Sequence, residues 1–326
     1  MKAEILRCLK ETNGYVSGEE LGRRFGVSRT AVWKAIRQLE EEGCRIEAVR
    51  RRGYRLVESA DLLSRTELLS TLSTRWAGQS LVFLDEVDST NNEAKRLADR
   101  GAAHGTLVVA DHQTAGKGRR GRSWSSPKGS GIWMSLLIRP DFAPGAASML
   151  TLVAAMAVSA GIRETTGLDC LIKWPNDIVF DGKKVCGILT EMSTEEDCIR
   201  HVVIGIGINV NTPDFPEEIA PRATSLALAS GHEVRRAALI DAVLRAWEMY
   251  YASYLKTLDM SSLKETYNER LVNCGREVTV LAPTGSYTGI SRGIDGRGEL
   301  LVEMADGSLR TVISGEVSVR GIYGYV

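Results

Sequence analysis

Hydrophobic positions change their spacing along this chain, and the changes divide it. Leu21 and Phe25 fall on one helical face before Gly26-Val27-Ser28 interrupts the pattern. Ser28 is a good N-cap, and Val32, Ile36 and Leu39 follow it at i, i+4 and i+7. Two short helices joined by a three-residue turn containing glycine predict a helix-turn-helix. The spacing then becomes strand-like over residues 46–49 and 54–57, which flank Arg50-Arg51-Arg52-Gly53 and predict a cationic wing. A helix over 66–73 reads as a linker.

From residue 81 the text alternates between strands and helices. An apolar strand over 81–84 runs into Asp88-Ser89-Thr90-Asn91-Asn92-Glu93, where Thr90 and Glu93 have the spacing of a capping box for a helix over 93–100. Capping accounts for Thr90 alone. Ser89 and Asn91 are surplus polar groups at a strand-to-helix turn, a common place for a ligand. Strands over 107–110, 132–138, 171–174, 178–180, 184–191 and 201–211 follow, the fourth and fifth joined by an Asp181-Gly182 turn. In the last of them glycines alternate with isoleucine. One face is therefore core, and Gly205 and Gly207 strip the other to backbone, as if something flat lay against it. The apolar run over 149–162 is too short and too rich in Ser, Thr and Ala to span a membrane, and reads as a buried helix. Helices over 235–256 and 261–271 close this region. Strand-turn-strand text over 277–281, 287–294, 300–304, 309–313 and 317–319 suits an SH3-like β-barrel.

Composition adds little until it is divided. Hydrophobic residues make up 44% and charged residues 25%, and the net charge is zero, an ordinary globular balance. Residues 1–60, however, carry 13 Lys and Arg against 9 Asp and Glu, net +4, so the remainder is net −4. Contact with nucleic acid is expected at the N-terminus. There Arg29, Thr30, Trp33, Lys34 and Arg37 point outward from the second helix, with Ser28 at its start and Arg51 and Arg52 on the wing. Cys8, Cys44, Cys170, Cys186, Cys198 and Cys274 are scattered, which argues against a zinc site or a disulfide framework and fits a reducing cytosol. The first residues lack the features of a signal peptide. A cytoplasmic protein with no membrane partner is expected.

The loop Gln113-Thr114-Ala115-Gly116-Lys117-Gly118-Arg119-Arg120-Gly121-Arg122-Ser123-Trp124 holds four cations in six residues, interleaved with glycines. Glycines let backbone close around a ligand, and the cations can neutralise a phosphate chain. Such a loop is expected to be mobile until an anion binds. Residues 116–121 match GxGxxG formally, but a breaker-rich stretch follows where a dinucleotide site needs a helix, and Gly rather than Ser or Thr follows Lys117, which excludes a Walker loop. A solvated basic loop or a nucleic-acid patch stays open on this segment alone.

Ser89-Thr90-Asn91, GKGRRGRxW from Gly116 to Trp124, KWPND from Lys173 to Asp177, KxxGIL from Lys184 to Leu189, and GIGIN from Gly205 to Asn209 occur in this order. The ordered set resembles the biotin–protein ligase family, in its larger form with an N-terminal winged helix, across essentially the whole chain. The resemblance implies an α+β chain: a winged helix-turn-helix DNA-binding domain (1–60), a linker helix (61–80), a ligase domain built on a mixed β-sheet of class II synthetase type (81–272) and an SH3-like barrel (273–326).

It also implies a chemistry. Biotin and ATP with Mg²⁺ form biotinyl-5′-AMP, and the biotinyl group passes to one lysine of a biotin carboxyl carrier protein. Biotin genes are repressed through operator DNA, with homodimerisation on biotinyl-AMP binding that involves residues 190–199 and the basic loop. By resemblance, Lys184, Arg119, Arg122 and Asp177 are catalytic, Asp177 near the metal, with Lys117 and Arg120 as further phosphate partners. Ser89, Thr90 and Gln113, with the backbone of Gly116 and Lys117, hold biotin, and Asn91 belongs to the cofactor-binding set. Trp124 offers adenine a shelf and Asn209 an edge reader, while Asn176, Gly187 and Gly207 complete the site. Lys117 stands where many members have Arg, which keeps the charge without the bidentate fork. His104, His112, His201 and His232 take structural roles. A ligand-responsive transcription factor without catalysis, and a lipoate- or octanoyl-transferring enzyme, are the alternative readings.

Overall fold

Three serines start three helices of the N-terminal segment. After α1 (Lys2–Glu11), Ser17 Oγ accepts from Glu20 N at 3.0 Å to open α2 (Gly18–Phe25), and Ser28 Oγ accepts from Ala31 N at 3.2 Å to open α3 (Arg29–Glu41). Each such cap contributes about 1 kcal/mol. Gly26 ends α2 in the left-handed region at φ 64°, where L side chains are strained. Leu21, Val32, Ile36 and Leu39 meet Ile5, Leu6 and Leu9 of α1 in one core, so the expected helix pair is completed by a helix outside the expected set. β1 (Cys44–Val49) and β2 (Gly53–Ser59) form the wing in antiparallel register, Val49 opposite Gly53.

Ser64 opens the next helix, α4 (Arg65–Thr71), by accepting from Glu67 N at 3.1 Å. Its C-terminal carbonyls lack intrahelical partners, and Arg7 of α1 supplies them, donating to Leu69 O at 2.6 Å and to Ser70 O and Leu72 O at 3.1 Å. The helix expected to link two domains is therefore fastened to the winged helix.

The computed structural model describes residues 1–59, 61–196, 198–282, 285–313 and 318–321. They group into Met1–Ser73 with Arg235–Ala238, and Thr74–Val234 with Leu239–Val326.

In the second unit β3 (Leu81–Val87) and β4 (Leu107–Gln113) run parallel, crossed over by α5 (Thr90–Asp99). β5 (Gly131–Ile138) follows the basic loop, and α6 (Pro144–Ala147) and α7 (Leu150–Thr166) come next. The stretch Pro144–Thr166 is apolar and long enough to cross a membrane, yet 72% of its most apolar window is buried here. It is a core helix. β6 (Leu171–Lys173), β7 (Asp177–Phe180), β8 (Lys183–Glu195) and β9 (Cys198–Asn209) complete a seven-stranded mixed sheet in the order β3-β4-β5-β9-β8-β7-β6. α8 (Leu226–Ser230), α9 (Arg236–Tyr254) from Leu239 onward and α10 (Lys264–Glu269) follow.

Then β10 (Glu277–Ala282), β11 (Gly285–Ile294), β12 (Leu300–Glu303), β13 (Leu309–Val312) and β14 (Ser318–Gly321) form an antiparallel sheet in the order β13-β12-β11-β10-β14. That is the expected SH3-like set. Val317, placed in its last strand by the pattern, lies outside the described residues.

Candidate functional site

The turn after β3 departs from its expected capping. α5 begins at Thr90, with Ser89 as the N-cap residue, and no side chain caps it. The Glu93 carboxylate turns away to Arg96, Oε2 accepting from Nε at 2.7 Å. No capping box forms, and Thr90 is spent elsewhere. Its N–H and hydroxyl both donate to Gln113 Oε1, at 2.8 and 3.1 Å. A backbone N–H can only donate, so the Gln113 amide has one orientation, and its Nε2 donates to Ser126 Oγ at 2.8 Å.

Asn91 is fixed by the same logic. Its Nδ2 donates to Leu189 O at 3.2 Å and Glu191 Oε2 at 2.8 Å, so its Oδ1 faces Ser135 Oγ, 2.6 Å away, as acceptor. Burial raises the Glu191 pKa, but hydrogen bonds from Lys95 and Asn91 outweigh it and hold the carboxyl below its ordinary value. Asn91 is thus an internal brace. Ser89, 2% exposed, offers a hydroxyl not consumed by capping.

The bare face of β9 is covered by the protein's own groups. A Cβ on Gly205 would come 2.2 Å from Asn91 Oδ1, and one on Gly207 would come 2.7 Å from Trp124 Nε1. Gly187, opposite Gly207 on β8, would bring a Cβ 3.0 Å from Trp124 Cζ3. The flat object over Gly187 and Gly207 is the Trp124 indole. Its loop reaches that position by closing on itself: Trp124 N donates to Gly116 O at 2.9 Å and Gly118 N to Arg122 O at 2.7 Å. Gly116 has no room for a Cβ, which would lie 2.3 Å from Trp124 O. These bonds form a short ladder within the loop, with Arg120 in the left-handed region at φ 58°.

Two cations belong to this region, and one of them, Lys184, lies over that indole. Lys184 Nζ lies 5.0 Å from the Trp124 ring centroid and 2.6 Å from Asp177 Oδ1. Its backbone is gripped from outside the sheet, Lys184 N donating to Arg222 O at 2.8 Å and Thr224 N donating to Lys184 O at 3.0 Å. Lys183, beside it on the Asp181-Gly182 turn, is exposed. Arg119 Nη1 donates to Asn176 Oδ1 at 3.0 Å, and Asn176 Nδ2 in turn donates to Ile188 O at 3.0 Å. Burial lowers the Arg119 pKa, with Asp177 opposing, and the guanidinium stays charged at neutral pH.

These groups stand where two clefts meet. One is narrow, lined by Ser89, Asn91, Gln113, Gly187 and Gly205. The other, about 620 Å³, is lined by Arg120, Arg122, Lys173, Asp177, Asn209 and Phe215. Gly118, Arg119, Trp124, Asn176 and Lys184 line both. Trp124 is the partition, and Arg119 and Lys184 are the charges at the opening. Lys117 lines the narrow cleft, but its Nζ donates to Asn92 Oδ1 at 3.0 Å, consistent with a larger role for its backbone. Asn209 Nδ2 donates to Thr224 O at 3.2 Å at the wall of the larger cleft.

Ser126, Ser135, Glu191 and Lys173 belong to this arrangement and are outside the expected site residues. Ser135 carried a signal, as a lone hydroxyl in the wholly buried strand β5. Lys173, 5% exposed, ends an otherwise apolar strand. Among the described residues no group of three or more His, Cys, Asp or Glu is placed to hold a metal. Asp177 is a single carboxylate beside the charged opening, which suits a Mg²⁺ ion carried mainly by phosphates.

In the N-terminal unit Ser28, Arg29, Thr30, Trp33, Lys34 and Arg37 are exposed along α3, and Arg51 and Arg52 are exposed on the wing. Trp33 is 49% exposed, with Arg37 over its ring at 5.5 Å. The large apolar side chain and its neighbouring cations share one open surface. The histidines lie apart from the two clefts: His104 packs against Trp76 at 4.6 Å, and His112 Nδ1 lies 2.9 Å from Glu86 Oε2.

Comparison with known proteins adds the following. Residues 2–55 match the HTH domain, residues 83–209 the biotin/lipoate A/B protein ligase family, and residues 274–320 the biotin protein ligase C terminal domain. The chain is 44% identical to the bifunctional ligase/repressor BirA of Bacillus subtilis (strain 168), over 94% of each protein. It is 33% identical to the protein of the same name from Escherichia coli (strain K12), over 97% of this chain and 96% of the other. Among solved structures, the biotin protein ligase from Aquifex aeolicus in complex with biotin and ATP is similar at 35% identity and a TM-score of 0.64, covering 74% of this chain and 99% of that one.

Proposed function

The chain belongs to the biotin–protein ligase family, in the group that carries an N-terminal helix-turn-helix, and on that premise we propose how its residues divide the work. The protein activates biotin with ATP to biotinyl-5′-AMP, transfers the biotinyl group to a lysine of a biotin carboxyl carrier protein, and represses transcription through its helix-turn-helix domain. One observation carries the assignment of residues: a narrow polar cleft and a large cationic cleft meet at Arg119 and Lys184 across Trp124.

Biotin occupies the narrow cleft. Its neutral ureido ring is recognised by Ser89, Thr90 and Gln113, whose polarity the Thr90 N–H fixes in advance. Its carboxylate emerges at the shared opening. ATP occupies the larger cleft, with its phosphates toward Arg119, Arg120, Arg122 and Lys184 and its adenine near Asn209. A carboxylate oxygen attacks the α-phosphorus, and the bond to the bridging oxygen breaks to release pyrophosphate. Two anions must approach for this step, and Lys184 and Arg119 neutralise the charge between them. Mg²⁺, carried with ATP beside Asp177, supplies further charge neutralisation at the phosphates. In the second step the neutral amine of the acceptor lysine attacks the biotinyl carbonyl carbon, and AMP leaves. Lys184 stabilises the oxyanion. No protein nucleophile enters; the catalysis is positioning and electrostatics.

The exposed face of α3 meets operator DNA in the major groove, and the wing arginines meet phosphates. A second copy of the chain pairs along residues 190–199 when biotinyl-AMP is bound. β7 pairs with β8 only as far as Gly187, and beyond that point β8 pairs with β9 alone, with a register shift between Ser193 and Thr194.

The test is substrate choice. With ATP and Mg²⁺, the protein exchanges labelled pyrophosphate into ATP when biotin is added. Exchange driven by lipoate and not by biotin contradicts the assignment.

A further inference from the structure

Beyond the shared opening, one hydrogen bond ties the C-terminal sheet to the reaction centre. Between β11 and β12, residues 295–299 form a closed turn: Asp295 Oδ1 accepts from Arg297 N at 2.8 Å and Glu299 N at 2.9 Å, and Gly298 N donates to Asp295 O at 3.1 Å. Its other side is seated in the catalytic core. Gly296 O accepts from Met260 N at 2.8 Å. Gly298 has φ +75°, and a Cβ there would come 2.5 Å from Leu152 Cδ1 and 3.3 Å from Met149 Cγ. The turn is braced on both sides by these contacts.

Into this seat Trp174 Nε1 donates its one hydrogen bond, to Gly298 O at 3.0 Å. Trp174 is 3% exposed and lines neither cleft. Two residues on, Asn176 receives Arg119; three residues on, Asp177 pairs with Lys184. The segment that orients both cations of the shared opening is thus anchored at its start to a rigid turn of another sheet.

We propose that Trp174, held by the Gly298 carbonyl, is a positioning residue for adenylation: through Asn176 and Asp177 it sets where Arg119 and Lys184 point. This rests on the ligase reading, and exchange by the unaltered protein tests that reading separately.

In the full-length protein, Trp174→Phe keeps an aromatic ring and removes the N–H donor. It lowers kcat for biotin-dependent pyrophosphate exchange about tenfold, because small misplacement of charge is costly at a reaction centre. KM for biotin stays within about twofold, since Ser89 and Gln113, which meet the ureido ring, lie on other segments of the narrow cleft. In an Asn176→Ala background the same change has a smaller effect, because the two act in series. A lowered Tm with kcat unchanged, or effects that simply multiply, overturns the proposal. Should Trp174→Phe fail to fold, benzothienylalanine at position 174 keeps the bicyclic shape without the N–H and gives the same readout.

Discussion

Two arginine-rich turns, one in each unit, are built from nearly the same residues and end in opposite situations. Residues 50–53 read Arg-Arg-Arg-Gly, and residues 119–122 read Arg-Arg-Gly-Arg. Each places an arginine in the left-handed region, Arg51 at φ 66° and Arg120 at φ 58°, and each uses a glycine at positive φ, Gly53 at 108° and Gly121 at 69°. In the wing Arg50, Arg51 and Arg52 are all exposed, Arg52 lying over the Tyr15 ring at 4.3 Å. In the basic loop Arg119 is half-buried and held by Asn176.

The difference lies in what the turn closes on. The wing turn closes through Arg52 N on Val49 O and rests Gly53 on the Val16 backbone with its arginine side chains outside, whereas the loop folds back through Gly116 and Trp124 and is seated on Gly187 and Gly207. A polyanion such as DNA is attracted by charge of loose direction, screened by salt. A single phosphorus under attack needs charge of fixed direction in a place where water is displaced.

Substitutions in either turn separate the two roles. The larger effect belongs to the loop: Arg119→Gln lowers pyrophosphate exchange by about 100-fold, the order expected for a preorganised charge at a reaction centre, and leaves ligand-free DNA binding unchanged. The smaller belongs to the wing: Arg51→Gln with Arg52→Gln reduces the slope of log K against log salt by about 2, roughly 0.9 for each phosphate no longer neutralised, and leaves exchange within about twofold of the original. Filter binding across a salt series and an exchange assay measure both on the same preparations. If the wing variant loses exchange, or the loop variant loses ligand-free DNA affinity, the two turns are not separate devices.

What could be read beforehand was local. Ser28 as a cap, the apolar face of Val32, Ile36 and Leu39, the Asp181-Gly182 turn and the strands of the C-terminal sheet all depend on neighbours a few residues away. Thr90 and Glu93 had the spacing of a capping box, but Gln113, 23 residues on, takes the Thr90 hydroxyl instead. A tertiary bond overrode a local preference. The bare face of β9 was legible as a place for something flat, yet its occupant, Trp124, arrives from a distant loop whose closure no periodicity encodes. Ser135 and Glu191 escaped notice for the same reason, since their bonds to Asn91 cross 44 and 100 residues. α1 has its own apolar face at Ile5, Leu6 and Leu9, and its role emerges only when Arg7 is seen to finish α4.

If the charges where the two clefts meet act on the reaction itself, Lys184 is where their loss shows. Biotin-dependent pyrophosphate exchange and biotin affinity by calorimetry are measured on Lys184→Ala beside the unaltered protein. Exchange is expected to fall by about 100-fold or more while biotin affinity changes by less than about tenfold, because the lost interaction is made mainly in the transition state. Exchange at the unaltered rate would contradict it.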